Sequence, residues 1–336
     1  MPWLTGSKLG FGVQSSDEPV VPSITVTGGT TATYTLPHGS YTTHTFTSNG
    51  NLVITGGDGG PVDDVAFLLV GGGGGGGLGN SNEGGGGGGA GGAVKHPGTF
   101  SISGPGSYAV TIGFGGNGAN QPNSPGGEYG SPAGDPLSAP SDHGNDGGDT
   151  TFVASPTQTY IAKGGGGGSF SGPGNPGGCG GGGGGASTEN PGGTSTQPPQ
   201  SNPGATEYGT SGGMGIHMTP AGQAGSGNGG GGGGAGGAGE DGSDRPGGPS
   251  GQSCNDLGGA GITVDYRTGS GATYAHGGNG GGAYNYQCIV SHGGATTGDG
   301  GGGSNPNNNP TGVTGTGGSG GTGICIFRFP DAVYNG

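Results

Sequence analysis

Basic residues are scarce. The 336-residue chain has six lysines and arginines against 20 acidic residues, a formal net charge of −14. Lys8, Lys95, Lys163, Arg245, Arg267 and Arg328 form no cluster along the sequence. A nucleic-acid binder displaces counterions with a basic stripe, and this chain would be repelled by phosphate. Nucleic acid and anionic membrane surfaces are therefore excluded as partners. Core-forming side chains are also few, with 25% hydrophobic and 6% aromatic residues against roughly 45–50% apolar in ordinary domains. No stretch repeats apolar residues at i, i+3, i+4 and i+7, and the glycine content opposes helix at every turn. A conventional helical or α/β enzyme is excluded. The longest apolar run, Val65 to Val70, falls short of the roughly 20 residues of a membrane-spanning helix. The opening Met-Pro-Trp-Leu-Thr-Gly lacks a signal-peptide pattern, so folding in a cytoplasm is expected. Cys179, Cys254, Cys288 and Cys325 form no Cys-x-x-Cys and match no zinc spacing. In a reducing compartment they are expected to be free structural thiols.

What the chain does have is glycine, 104 residues of it, with 25 prolines. The glycines are clumped rather than placed at every third residue, which excludes collagen. Tracts occupy 71–77, 84–89, 164–168, 180–185, 229–234 and 300–303, too irregular for a solenoid. Long loops rich in Pro, Asn, Ser and Thr cover 117–148, 187–220 and 240–258. Strands are predicted at 24–26, 33–35, 41–47, 52–54, 64–70, 99–103, 107–112, 151–153, 158–162 and 324–329, where β-branched and aromatic residues concentrate. The 64–70 and 324–329 segments are apolar at both parities, as strands covered on both faces should be. Asn49-Gly50-Asn51 predicts a hairpin turn. The organisation expected is an attachment segment over 1–22, a small antiparallel β region over 23–70, a glycine-rich body over 71–329 and a tail over 330–336.

Disorder is the alternative for such a composition. It is opposed by the low charge content and by the β segments that hold the tract ends. Ordering costs roughly 1–2 kcal/mol per residue, and glycine has no side chain to bury in return. Backbone pairing is the remaining source of stability. Extended helices of three residues per turn point N–H and C=O outward, and packed side by side they satisfy one another. Only glycine lets backbones approach so closely. The fold class expected is all-β with a polyglycine II-type helix bundle, in which short antiparallel strands flank stacked glycine helices, with almost no α-helix.

Asp64-Val-Ala-Phe-Leu-Leu-Val70 running into seven glycines resembles the opening of the glycine-rich domain of bacteriophage tail and fibre proteins. Gly106-Ser-Tyr-Ala-Val-Thr-Ile112, Gly147-Gly-Asp-Thr-Thr-Phe152, Tyr160-Ile-Ala-Lys163 and the closing Gly323-Ile-Cys-Ile-Phe-Arg-Phe329 continue the same order over roughly 41–329. The resemblance implies a receptor-binding adhesin, in which stacked glycine helices carry loops that contact host surface receptors. A related glycine-rich region stands in anaplastic-lymphoma-kinase-type receptors, but the kinase domain and membrane span of that group are not found here. The regular spacing of glycine-rich antifreeze proteins is absent too.

Chemistry-bearing motifs are weak. Gly-x-Gly-x-x-Gly recurs without a βαβ context, and no phosphate loop ends in Gly-Lys-Ser/Thr. Gly236–Gly242 fits half of a calcium nonapeptide, and Asp142–Gly147 lacks the ligand pattern of a calcium loop. Asp63-Asp64 would serve hydrolysis only if it faced a cleft. No cofactor and no metal site is expected, and no enzyme. The sharpest signal is tyrosine: Tyr266, Tyr274, Tyr284 and Tyr286 crowd together with Arg267 and His276 interleaved, a composition used by antibody loops. Capping of the glycine array is the competing reading for these tyrosines. Tyr129, Tyr208 and His217 are further receptor-contact candidates, and Trp3, Leu4 and Phe11 are candidates for virion attachment. The expected function is a virion adhesin, assembled in the host cytoplasm. Its partners would be other virion proteins and a bacterial glycan or outer-membrane protein, with homo-oligomers left open. The alternatives are a structural head- or tail-decorating protein and a glycine-rich ice-binding or matrix protein.

Overall fold

The computed structural model describes residues 24–56, 61–79, 84–119, 143–185, 188–198, 204–217, 227–242, 256–282, 291–304 and 316–331. Trp3, Leu4, Phe11, Tyr129, Tyr284 and Tyr286 lie outside them, as do Cys254 and Cys288. No helix occurs among the described residues, whose regular elements are all β. The strands are β1 (Ile24–Thr27), β2 (Thr30–Leu36), β3 (Gly39–Phe46), β4 (Gly50–Gly56), β5 (Pro61–Val70), β6 (Ala93–Ser103), β7 (Gly106–Thr111), β8 (Thr150–Ser155), β9 (Gln158–Ala162), β10 (Thr206–Tyr208), β11 (Ile262–Val264), β12 (Ala272–Tyr274) and β13 (Ile324–Pro330).

Two antiparallel sheets, in the orders β1-β4-β7-β8-β9 and β10-β6-β5-β13-β3-β2, pack face to face, and β11-β12 forms a separate hairpin. The strands of 24–70 therefore share both sheets with later strands. The two-parity pattern is explained by position. Val65, Phe67 and Leu69 of β5 and Cys325, Phe327 and Phe329 of β13 face the core between the sheets. Ala66, Leu68, Val70, Ile324 and Ile326 face a second core on the other side, built with Val264, Tyr266 and Tyr274 of the hairpin region. The Asn49-Gly50-Asn51 turn is not a hairpin: β3 and β4 belong to different sheets, so it carries the chain across the sandwich. Asn49 Oδ1 accepts the Ile112 N–H at 2.8 Å, which ties that crossing to β7. Cys179 and Cys325 are free and buried, and burial pushes the Cys179 thiol up to about 12.

Glycine segments continue the strands out of the sandwich. Residues 71–77 follow β5 and 113–119 follow β7, 163–169 follow β9, while 84–92 enter β6, 143–149 enter β8 and 317–323 enter β13. Their pairing rotates with a period of three. Gly71, Gly74 and Gly77 donate to Gly92, Gly89 and Gly86; Gly72 and Gly75 donate to Gly148 and Asn145; Gly73 and Gly76 donate to Gly321 and Gly318, all at 2.8–3.0 Å. The carbonyls of 72–77 accept in the same rotation from 165–168, 116–119 and 301–304. Six segments thus surround residues 71–77, three at the donors and three at the acceptors. Residues 84–92 have six neighbours by the same rule. The backbones are so close that a Cβ at Gly72 would stand 1.8 Å from Phe114 O, and one at Gly182 would stand 2.0 Å from Gly230 O. The hydrogen in that position points at the carbonyl, which makes each approach a Cα–H···O contact as well. Ala90 and Cys179 replace glycine where the array meets the second core, because there a small side chain has apolar neighbours.

His44 sits in β3, fully buried, with Nδ1 2.8 Å from Gly28 O and its ring edge-on to Phe329. Burial lowers its pKa from 6.5, and the Gly28 contact opposes this only in part. Above the unfolded-state value the histidine is neutral in both states and titration contributes nothing. As pH falls through about 6.5 the unfolded chain takes up a proton that the folded chain refuses, so stability drops until the lower folded value is reached. Urea midpoints should therefore fall from pH 7.5 to pH 5, and the fall should be smaller in His44→Asn. An equal fall in both proteins would show that other groups set the acid sensitivity.

Candidate functional site

The β11-β12 hairpin, paired Ile262↔Tyr274 through Val264↔Ala272, lays its tip over the outer face of the six-stranded sheet. Tyr266 is the pivot. Its ring is 4% exposed, its hydroxyl donates to His96 O at 3.2 Å, and its own carbonyl accepts the Tyr34 hydroxyl at 3.1 Å. The Arg328 guanidinium lies 4.3 Å from the Tyr266 ring centroid and 4.8 Å from that of Tyr41, with Asp265 3.7 Å away. Lys95 Nζ stands 5.5 Å from the Tyr266 ring. Thr43 Oγ1 donates to Arg267 O at 3.3 Å, so a buried threonine of β3 also holds the tip. Tip conformation requires glycine at one point: Gly269 has φ +76 and a Cβ there would meet the Tyr34 ring at 2.7 Å. Burial pushes the Tyr266 hydroxyl up to about 12 against the lowering influence of Arg328. Burial also raises Tyr34 and Tyr274, each opposed by an arginine, Arg328 and Arg267 respectively.

The structure thus gathers Tyr266, Arg267, Tyr274 and Tyr208 on one side, together with Tyr34, Tyr41, Lys95 and Arg328. The last four carried no signal in the sequence, because they come from strands far apart in the chain. Tyr266 and Tyr274 are 4% and 2% exposed and pack in the second core, the arrangement the capping reading describes. Arg267 is exposed, and Tyr34, Tyr41 and Tyr208 are half-buried, so these form the accessible part of the face. His276 is exposed elsewhere, its backbone N–H donating to Asp299 Oδ1 at 2.8 Å. His217 is half-buried at the end of the array remote from the sandwich.

A family model described as a glycine-rich domain matches residues 47–330. The chain belongs to this glycine-rich domain family. Comparison with curated proteins gives no match. The glycine-rich domain match takes in the β3–β4 connection, β4 to β13 and every array segment, and leaves β1, β2 and β3 outside.

Carboxylates in the glycine-rich domain have a role that sequence reading missed: they supply acceptors where the array has an outer rim. Asp146 Oδ1 accepts Gly167 N–H at 2.8 Å and Asn175 Nδ2 at 3.0 Å. Asp149 accepts Gly164 N–H at 2.9 Å and Lys163 Nζ at 2.7 Å, and Asp241 accepts Met214 N–H at 2.7 Å. Two of these acids stand in the segments weighed above as calcium loops, and both are engaged with backbone or side-chain N–H. Asp63, at the bulge between Val62 and Val65, accepts the Ser101 hydroxyl, and Asp64 beside it has φ 59 and is exposed. Among the described residues no three His, Cys, Asp or Glu side chains gather as a metal set. What the accessible tyrosine face offers chemically is contact: flat rings, hydroxyls and an arginine.

Proposed function

We propose that this chain is a non-enzymatic virion protein of a phage tail or fibre, acting as an adhesin that recognises a bacterial surface glycan or outer-membrane protein. The observation that carries this reading is polarity. Ile24 pairs with Gly56, at the end of β4 away from the array, so the attachment segment 1–22 joins the molecule at one pole. Segments 71–79 and 84–92, 113–119 and 143–149, 275–282 and 291–294, and 299–304 and 316–323 open toward the other pole. The described residues that flank the connections carrying Tyr129, Tyr284 and Tyr286 lie at that pole. Sequence-variable connections on a rigid frame are where recognition surfaces are commonly built.

The frame itself is best read as a bundle of polyglycine II-type helices. The period-three rotation of donors and acceptors supports this, since three residues per turn bring every third N–H back to the same neighbour.

The test is saturable binding of the labelled full chain, multimerised to restore avidity, to a panel of bacterial strains. Binding should be strain-selective, competed by unlabelled chain, and lost in a Tyr129/Tyr284/Tyr286→Ser variant with unchanged thermal unfolding. Uniform binding to all strains, or none to any, would overturn the adhesin reading in favour of a structural virion component.

A further inference from the structure

Four strands end the two larger sheets, and three of them offer little to a further strand. β1 has four residues and β10 has three. β9 is capped by a side chain: Gln197 Nε2 donates to Ile161 O at 2.9 Å, and its Oε1 accepts Lys163 N–H at 3.0 Å. One amide thus reproduces a rung of a ladder. β2 differs. It is seven residues long, carries neither charge nor proline, and keeps an unbroken register with β3 from Thr30↔Thr45 to Leu36↔Gly39. Among the described residues it has a strand on one side only, and Thr30 to Thr33 are exposed. Such edges are ordinarily guarded by lysine, proline or a bulge, because they template pairing with another chain.

The attachment segment contains a matching pattern. In Lys8-Leu-Gly-Phe-Gly-Val-Gln14 the apolar residues Leu9, Phe11 and Val13 alternate with polar residues and glycine, the period of a strand with one covered face. We infer that residues 8–14 of one copy add as an antiparallel strand to the β2 edge of a second copy. This rests on reading residues 1–22 as the attachment segment, and it names the partner as the chain itself.

Chain direction favours a second copy over the same one. Ile24 and Leu36 both lie at the pole away from the array. A strand at 8–14 folded onto its own β2 would either run parallel to it or need residues 15–23 to climb the sandwich. That link, with a full extension of about 30 Å, would have to run back along the length of β2 to Ile24 through Pro19 and Pro22. A second copy meets no such limit and keeps the sheet antiparallel, the slightly stronger pairing. Backbone rungs would supply affinity, and Leu9, Phe11 and Val13 the register. Donor and edge are different surfaces of one chain, so reciprocal exchange closes a dimer and one-way exchange grows a chain.

The experiment is sedimentation of the full chain over a wide concentration range, with two variants. Thr31→Lys/Thr33→Lys guards the edge at exposed positions, and Leu9→Asp/Phe11→Asp disables the donor. The unmodified chain should self-associate with concentration, and each variant alone should associate at least about tenfold more weakly. Mixed, the two variants should form a one-to-one complex and stop, because one working donor and one working edge remain. Unchanged thermal unfolding controls for folding. A chain that stays monomeric throughout, or assemblies that survive both variants, would overturn the inference. Cell binding by the same variants is read separately, so failure here and failure of the adhesin reading are distinguishable.

Discussion

Gly88→Ala should destabilise the fold by at least about 4 kcal/mol, a large part of the whole stability of a typical domain. A Cβ on Gly88 would stand 2.1 Å from Gly74 O, 2.7 Å from Gly74 C and 2.8 Å from Gly75 O. All three atoms are backbone, so no rotamer change relieves the clash. Residue 88 is also enclosed on every side. Its N–H donates to Gly301 O at 2.7 Å, and its carbonyl accepts Gly278 N–H at 2.9 Å. Moving segment 84–92 away from 71–77 would therefore strain pairs with two further segments. Gly237→Ala is the matched control. Its nearest neighbour to a Cβ is Ala260 N at 3.5 Å, and it lies in a half-buried turn at the array margin. There the substitution should be neutral or gain up to about 1 kcal/mol by restricting the unfolded chain. Urea unfolding of both variants decides the matter. Similar small losses in the two would mean that the array yields to side chains, contrary to the packing described.

The same close approach explains what could be read from the sequence and what could not. β5 and β13 were legible because a strand with two covered faces must be apolar at both parities, and Phe67 beside Leu68 states that directly. Segments 188–196 and 209–217 were read as loop, since array membership needs backbone pairing more than any side-chain pattern. Pro191 and Thr210 accept array hydrogen bonds as well as a glycine does. The three-residue strands β10 to β12 were missed for the opposite reason: Ile262-Thr-Val264 carries the β-branched signal, but it is too short to stand out. Asn49-Gly50-Asn51 makes no hairpin, since Gly50 and Asn51 already pair with β7 as the start of β4; turn chemistry is local and does not choose the sheet of the next strand. In the tyrosine cluster, residue type left contact surface and array capping both open, and Tyr266 and Tyr274 are buried in the second core. Arg328 and Lys95 could not have been found, since a single sequence does not say which strands lie side by side.

Phe67→Ala should cost about 3–5 kcal/mol and should loosen the array as well as the sandwich. Phe67 is fully buried, and its ring lies 4.8 Å from Tyr160, 5.2 Å from His96, 5.3 Å from Phe100, 5.7 Å from Phe152 and 6.2 Å from Phe327, centroid to centroid. These neighbours come from β6, β8, β9 and β13, the strands that continue into 84–92, 143–149, 163–169 and 317–323. β5 itself continues into 71–77, the segment surrounded by those four and by 113–119 and 300–304. One aromatic cluster therefore sets the spacing and register with which the glycine segments leave the sandwich. An isolated glycine segment has no side chain by which to choose its register, and a shift along the axis would meet equivalent carbonyls. The aromatic core is what makes one register preferable. Amide exchange tests this coupling residue by residue. In the unmodified chain the N–H groups of Gly74 and Gly88 should exchange only with global unfolding. In Phe67→Ala their protection should fall by the same free energy as the urea-derived stability. If array amides kept their protection while the sandwich lost its own, the glycine segments would be a separately stable unit, and register would have to come from the array's own ends.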